Sequence, residues 1–280
     1  MTNMIVMSGQ PSPPPAGWLG KLQLGFERRQ GRTLLTTRRH SGPYRVQRAF
    51  YPEGDHPHVY LLHPPGGVVG GDRLELSVAM AADSHALLTM PGATKFYRSA
   101  GQQARVSQRF LLAENSILEW LPQDNIFFPA ARVAIDTEFR LSPGARLLGF
   151  DTLCFGRPAA GEAFTEGCVD ASLRIIPPDS PGLFERLRIS AGRLEKLGGY
   201  PLSATFYATP ATEDMLAGVR LLLDAANAPA AGASLLDSLL VARVLDNDNQ
   251  RLQRLMHRIW AYLRPGMLGL EAIAPRIWST

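Results

Sequence analysis

Three of the six histidines lie close together in the sequence, at His56, His58 and His63. Imidazole nitrogen is a good ligand for nickel, zinc and copper, so metal contact is the first chemistry to consider. The spacing matches no zinc motif, and the proline between the first two histidines favours an exposed loop, where a metal site would be open and weak. The two cysteines, Cys154 and Cys168, form no Cys-x-x-Cys pair, which favours core packing for both.

Several carboxylates adjoin large apolar residues. Glu119 precedes a tryptophan, Asp124 lies just before two phenylalanines, and Asp151 follows a phenylalanine. A half-buried carboxylate can hold a transiting cation or pair with an arginine, and the ion pair is the commoner case. No Gly-x-Ser-x-Gly or His-Glu-x-x-His motif accompanies them. A β-rich hydrolase that pairs Asp72 with Glu119 is therefore only a minor alternative, and no catalytic residue is assigned.

The glycine-rich segment 66–72 reads Gly-Gly-Val-Val-Gly-Gly-Asp. A phosphate-binding loop would end in Gly-Lys-Ser/Thr and lead into a helix. Here no lysine follows, and the next residues alternate between apolar and polar as a strand does. The segment is interpreted as a turn between strands, in which glycine permits a positive φ or a close backbone approach.

One short stretch, Lys95-Phe96-Tyr97-Arg98, mixes basic and aromatic side chains. Such mixtures occur in single-stranded RNA sites and in protein interfaces. An arginine-rich β-protein that binds RNA is the alternative function, although no RNA-recognition pattern accompanies the stretch. Only three of the 29 basic residues are lysines. This bias is typical of a GC-rich genome and also suits bidentate carboxylate recognition, and composition does not separate the two explanations.

The elements that position these residues are mainly strands between about residues 17 and 207. Residues 132–141 alternate strictly between apolar and polar side chains, which is typical of a half-buried strand. The same alternation recurs over residues 74–80, 104–112 and 169–175. Because no crossover helix separates these runs, the pattern predicts a mainly β sandwich, barrel or layered stack rather than βαβ units.

After residue 209 the period changes to that of helices. A Thr-Pro pair at 209–210 predicts the start of one helix, and a capping box that begins at Ser234 predicts a second helix through Val244. Asp248 is the predicted cap of a third helix, which is apolar at i, i+3 and i+4. The Pro-Gly pair at 265–266 is expected to end that helix.

The chain has 280 residues, 45% of them hydrophobic, and a net charge of +4, which together indicate a folded and mildly basic protein. Residues 1–16 are predicted to be a flexible lead without the features of a signal peptide. Residues 17–280 are predicted to form one domain with a β-rich part (17–207), a helical part (209–265) and a C-terminal segment (266–280). No run is apolar enough to cross a membrane, so a soluble cytoplasmic protein is expected.

Six sequence segments occur in a fixed order along the chain. They are Gly42-Pro43, VYLLHPPGGVVGGD over 59–72, TKFYR over 94–98, LEWLPQ over 118–123, Gly156-Arg157 with Gly161-Glu162, and PRIWST over 275–280. In this combination the chain resembles the urease accessory protein D family, called H in some bacteria, from about residue 17 to the C-terminus. One departure is Met90, which stands where a threonine often precedes the Pro-x-Ala-Thr-Lys segment.

The resemblance implies an elongated, mainly β fold: a helix-like stack of strands in layered sheets with a small C-terminal α-helical part. It also implies a role in urease maturation without catalysis. The expected partners are the urease structural subunits and the accessory proteins F and G, of which G hydrolyses GTP. The resemblance implies no tightly bound cofactor and a transient nickel ion, and neither nucleic acid nor a membrane is expected as a partner.

Two sets of residues follow from the matched motifs. A nickel route should offer carboxylates and water rather than a closed cage, which would trap the ion. The residues predicted for nickel transit on this basis are Asp72, Glu119 and Glu162. The residues predicted for partner binding or as motif members are Lys95, Tyr97, Arg98, Arg276 and Trp278. Metal binding is not transferred to the His-Pro-His stretch, which lies in a variable loop.

Overall fold

The computed structural model describes residues 17–279, so the predicted flexible lead over 1–16 lies outside the described residues. The chain is mainly β, as predicted. The elements are β1 (Leu19–Arg29), β2 (Arg32–Ser41), β3 (Arg45–Val46), β4 (His58–Leu62), β5 (Arg73–Met80), β6 (His85–Thr89), β7 (Thr94–Phe96), β8 (Ala104–Leu112), β9 (Ile117–Leu121), β10 (Asn125–Phe127), β11 (Arg132–Leu141), β12 (Arg146–Arg157), β13 (Glu162–Ala163), β14 (Cys168–Ile176), β15 (Leu183–Ser190), β16 (Leu202–Thr209), α1 (Glu213–Ala225), β17 (Ala230–Leu236), β18 (Leu239–Asp246) and α2 (Asn249–Leu268).

The strands form two sheets that the chain visits in turn. The seven-stranded sheet has the order β15-β14-β11-β8-β5-β1-β2. The eleven-stranded sheet has the main order β17-β18-β16-β12-β9-β6-β4-β3, with β7, β10 and β13 attached beside it. From β5 to β14 the chain alternates between the sheets and adds parallel strands to each. The result is the helix-like stack that the family resemblance implies, and the opposite sheet takes the place of crossover helices.

Alternating side chains explain why these runs become strands. In β5 the residues Leu74, Leu76, Val78 and Met80 are buried toward the other sheet, while the residues between them are more exposed. The predicted strands over 104–112, 132–141 and 169–175 follow the same rule, and all three are confirmed. The core between the sheets contains stacked aromatic rings, such as Phe110 with its ring centroid 4.4 Å from that of Phe139. Each such buried ring contributes about 1.5–3 kcal/mol to folding.

The two α-helices cover the outer face of the eleven-stranded sheet. Leu252, Met256, Ile259 and Leu263 of α2 are buried there, in a second apolar core that excludes water from that face. Asp248 caps α2 as predicted, since its carboxylate accepts a hydrogen bond from the Arg251 N–H at 3.0 Å. No helix of the described residues is long and apolar enough to span a membrane.

The predicted second helix, from Ser234 through Val244, is wrong. These residues belong to β17 and β18, which pair as an antiparallel hairpin with Asp237 at φ +53° in its turn. The misassignment has a physical cause: β18 is buried on both faces. Val241 packs in the core between the sheets, whereas Leu240 and Val244 pack under the helices. A strand that is apolar on both faces loses the period of two that marks a half-buried strand.

Two predicted helix ends also need correction. The first helix is capped by Thr212, whose hydroxyl accepts from the Met215 N–H at 3.3 Å, and not by Thr209. Thr209 instead ends β16, where it pairs with β12. The last helix continues past the predicted stop at 265–266 to Leu268, because its final turn buries Met267, and Gly269 caps it at φ +68°.

Candidate functional site

Three adjoining cavities follow the eleven-stranded sheet, and the central and edge cavities lie between the two sheets. The outer cavity lies under the loops 64–67 and 91–93 and shares Leu61, His63 and Thr94 with the central cavity. The central cavity is the smallest of the three and shares Asn125 and Asp151 with the edge cavity. The edge cavity is bordered by residues of β15 and β18. The cavities therefore form one line through the interior, and we call them the cavity line.

Polar groups are placed at intervals along the cavity line. His63 borders the outer and central cavities, and Gln108 borders the central one, where its amide oxygen accepts from the Thr137 hydroxyl at 2.8 Å. Trp120 also borders the central cavity, and its indole N–H acts on Asp151 so as to oppose the rise in the pKa of that carboxyl.

Asp151 is the carboxylate at the junction of the central and edge cavities. It projects from β12 and accepts a hydrogen bond of 2.9 Å from the Tyr207 hydroxyl. Burial raises the pKa of Asp151 to about 7, although the hydrogen bond from Tyr207 opposes the rise. This carboxyl group is therefore close to half ionised at neutral pH and can exchange a proton for a metal ion.

Asp72 lies at the end of the glycine-rich turn, which the structure confirms as a turn. Its carboxylate accepts from the backbone N–H groups of Trp18 at 2.8 Å and Val69 at 3.0 Å. Gly67 is required in this turn, because a β-carbon there would lie 2.3 Å from the Tyr97 ring. Burial lowers the pKa of His63, and the negative charge of Asp72 opposes that effect. Asp72 thus lies close to the outer end of the cavity line.

Glu119 faces the helices rather than the cavity line. Its carboxylate accepts from the Trp260 indole at 2.8 Å, from Arg264 Nε at 2.9 Å and from His85 Nε2 at 2.9 Å. Burial acts to raise the pKa of Glu119, but these donors and the charge of Arg264 outweigh it and lower the pKa to about 2. Arg264 also donates to Glu53 at 2.6 and 2.8 Å. The group fastens α2 to the eleven-stranded sheet.

The histidines of the His-Pro-His stretch belong to this same buried group. His56 and His58 are buried, which corrects the expectation of an exposed loop. Two groups could each offer three ligand atoms that lie within 4.8 Å of one another. One group is Glu53, His56 and His58, and the other is His56, His85 and Glu119. The Arg264 guanidinium is already bonded to both carboxylates, however, and would repel a divalent cation. The arrangement is that of a buried, hydrogen-bonded ion pair rather than that of a metal centre.

The sequence alone did not identify Arg264, His85 or Glu53. The available signal was an arginine on the apolar face of the last helix, four residues after Trp260, since such a residue needs a buried acidic partner.

The motif residues near position 95 gather at one surface with segments that are distant in sequence. The Tyr97 ring lies 4.9 Å from that of Phe128, over which the Arg157 guanidinium also lies at 4.9 Å. Arg157 pairs with Glu162 at 2.5 Å. The Tyr97 hydroxyl donates to the Gly66 carbonyl at 3.1 Å, while Lys95 and Arg98 are exposed beside it. We call the surface formed by Lys95, Tyr97, Arg98, Phe128 and Arg157 the motif surface.

The C-terminal segment packs against α2. The Trp278 ring stacks on His257 with centroids 3.6 Å apart and an interplanar angle of 3°. Burial lowers the pKa of His257 to about 4, which keeps this imidazole neutral in the stack. Ile277 and Trp278 are both half-buried, and Arg276 is exposed at the start of the same short turn.

The predicted nickel carboxylates therefore occupy three different environments. Asp72 lies by the outer cavity, Glu119 lies beneath α2, and Glu162 lies at the motif surface. The structure does not gather them into one ligand set. It adds Asp151, which its neighbouring phenylalanine had indicated as half-buried, at a junction on the cavity line.

Comparison with known proteins gives a consistent family. Residues 19–279 match the family model described as UreD urease accessory protein. A Urease accessory protein UreD of Pseudomonas putida (strain W619) is 60% identical over 265 residues, covering 95% of each chain. The protein of the same name from Pseudomonas entomophila (strain L48) is 58% identical over 276 residues, covering 98% of this chain and 99% of the other. That of Klebsiella pneumoniae is 47% identical over 278 residues, covering 98% and 100%.

Proposed function

Since this chain belongs to the UreD family of urease accessory proteins, we propose that it serves urease maturation by passing nickel along the cavity line toward the urease apoprotein. The chain binds the urease structural subunits together with accessory proteins F and G. Nickel crosses the chain as cargo rather than as a resident cofactor.

The observation that carries the proposal is the position of Asp151 at the junction of two interior cavities. A carboxylate oxygen is a suitable ligand for a divalent nickel ion, and water in the cavities supplies the remaining ligands. Among the described residues Asp151 is the only carboxylate that borders both cavities, so the ion is held weakly enough to leave. His63 and Asp72 supply a comparable imidazole and carboxylate near the outer end.

The raised pKa of Asp151 gives the route a simple electrostatic device. With no cation beside it, the buried carboxyl is about half protonated at neutral pH, since its pKa is about 7. A nickel ion that arrives from the outer cavity favours the carboxylate form, and the proton leaves through water. When the ion moves on, the carboxyl takes up a proton again. Acidification should therefore slow passage, because protons compete with nickel for the same oxygen atoms.

The sequence-predicted residues divide under this proposal. Asp72 shapes the entrance and attracts the cation, whereas Glu119 positions α2 and Glu162 positions Arg157 at the motif surface. A protein partner contacts Lys95, Tyr97 and Arg98 at that surface. A partner also contacts Arg276 and Trp278 in the segment that packs against α2. RNA binding is less well supported, because the Tyr97 ring is packed on Phe128 and its hydroxyl is bonded to the backbone.

The proposal is tested by reconstituting urease apoprotein with nickel and the other accessory proteins, in the presence of wild-type or variant chain. We expect Asp151→Asn to lower the nickel content and activity of urease while the complex still forms. Asp179→Asn is the matched control, since it makes the same substitution at an exposed aspartate outside the cavity line and the motif surface and should leave nickel content near wild type. Full nickel occupancy with Asp151→Asn, or an equal loss with Asp179→Asn, would contradict the cavity line as the route.

A further inference from the structure

Four exposed residues lie together at one end of the seven-stranded sheet, and two of them are arginines that form no salt bridge within the described residues. Arg73 of β5 and Arg105 of β8 are directly paired in the parallel register, and both are exposed. Leu19 of β1 is paired with Arg73 on the other side and is 43% exposed, and Trp18 before it is 61% exposed. We call Trp18, Leu19, Arg73 and Arg105 the arginine–tryptophan patch.

The pairing of Arg73 with Arg105 is unfavourable for folding alone. Adjacent strands lie about 4.8 Å apart, and like charges directly opposite each other are destabilising. Within residues 17–279, neither arginine forms a salt bridge, and the next position in the same row of the sheet is Ala134. A pair that costs stability and has no partner within the described chain is most simply explained by a partner outside it.

The same face shows which chemistry satisfies paired arginines. Asp136 is held by Arg109 and Arg174 from the two neighbouring strands. Asp170 is likewise held by Arg186 at 2.6 Å and Arg188 at 3.3 Å. In each case two guanidinium groups bind one carboxylate. The planar guanidinium group of arginine favours this geometry. Arg73 and Arg105 form a similar pair of arginines, but no carboxylate of the described residues binds them.

We infer that the arginine–tryptophan patch docks on a protein surface that presents a carboxylate beside an apolar contact, and that this surface belongs to the urease apoprotein. Only the identity of the partner rests on the proposed function. Tryptophan and arginine are the residues that most often dominate protein interfaces. A protein partner is favoured over a nucleic acid because the exposed apolar side chain of Leu19 lies beside Arg73.

The test measures binding of the full chain to immobilised urease apoprotein at several salt concentrations. Arg73→Gln/Arg105→Gln should raise Kd about tenfold or more and weaken the salt dependence, because two charge-assisted contacts are lost. Arg73→Lys/Arg105→Lys should recover part of the affinity. The control Arg48→Gln/Arg254→Gln removes two exposed arginines from other elements and should stay within about twofold of wild type. The thermal midpoint of the patch variant should not fall, since like-charge repulsion is removed.

Three results would overturn the inference. If wild type binds the apoprotein and Arg73→Gln/Arg105→Gln binds equally well, the patch is not the contact, although the proposed function survives. If wild type does not bind at all, the proposed function and the partner fail together. If the variant loses binding to a poly(U) probe while apoprotein binding is unchanged, the patch serves RNA instead.

Discussion

Asp151→Asn should stabilise the protein while it impairs nickel delivery. The ordinary pKa of an aspartate is 3.8, and burial raises that of Asp151 to about 7. The folded state therefore binds more protons than the unfolded state between these values, and the free energy of unfolding must fall as pH rises through this window. Asparagine cannot ionise, but it keeps an oxygen that accepts from the Tyr207 hydroxyl.

The magnitude follows from the shift. Each pKa unit corresponds to about 1.4 kcal/mol, so the buried carboxylate costs about 4 kcal/mol at most above pH 7. Between pH 5 and pH 8 the advantage of Asp151→Asn over wild type should grow by about 3 kcal/mol.

Urea unfolding of both proteins at several pH values provides the assay. The control is Asp136→Asn, because burial there is outweighed by the hydrogen bond from Arg109 and the pKa of Asp136 is lowered. That variant should lose stability at neutral pH. If wild type and Asp151→Asn show the same pH dependence, Asp151 is hydrated like a surface carboxylate, and the electrostatic device fails with it.

Two further predictions concern α2. Glu119→Gln should lower the free energy of unfolding at pH 7 by about 3 kcal/mol, because Arg264 loses a buried anionic partner. The loss should diminish as pH falls from about 4.5 toward 2, where wild-type Glu119 also becomes protonated, and circular dichroism during acid titration measures it. Removal of residues 275–280 should expose His257 by removing Trp278, so that NMR finds the pKa of this histidine raised from about 4 toward 6.5. An unchanged His257 titration would show that the stack does not bury the imidazole.

The strands were predictable where one face of the sheet is exposed to solvent. Residues 132–141 alternate because the outward side chains meet water, and the local pattern is sufficient to assign the strand. The hairpin over 230–246 was not predictable in this way, because β18 is buried beneath the helices on one face and in the core between the sheets on the other. Burial on both faces is a property of the tertiary arrangement and leaves no period in the sequence.

The candidate site divides along the same line. The glycine-rich turn and the exposed basic–aromatic stretch are local features, and the sequence indicates both. The Arg264 group joins residues more than 200 positions apart, which no local pattern indicates. The proposed role of Asp151 depends on cavities that exist only once the two sheets have packed together. The family motifs pointed to Glu119 as a nickel-transit residue, and that role stays a prediction. The helix that covers Glu119 pairs its carboxylate with Arg264, which no local sequence feature indicated.

The most direct test of the account is to obstruct the cavity line without removing a ligand. Thr94 borders both the outer and the central cavity, so Thr94→Phe should narrow their junction, while Ser234→Phe adds the same ring at an exposed position of β17 as a control. Each variant is co-purified with urease apoprotein and accessory proteins F and G, and the nickel in urease is measured after activation. Passage through the interior predicts an intact complex with little nickel for Thr94→Phe and near-normal nickel for Ser234→Phe. Full nickel occupancy with a folded Thr94→Phe chain would contradict passage through the interior.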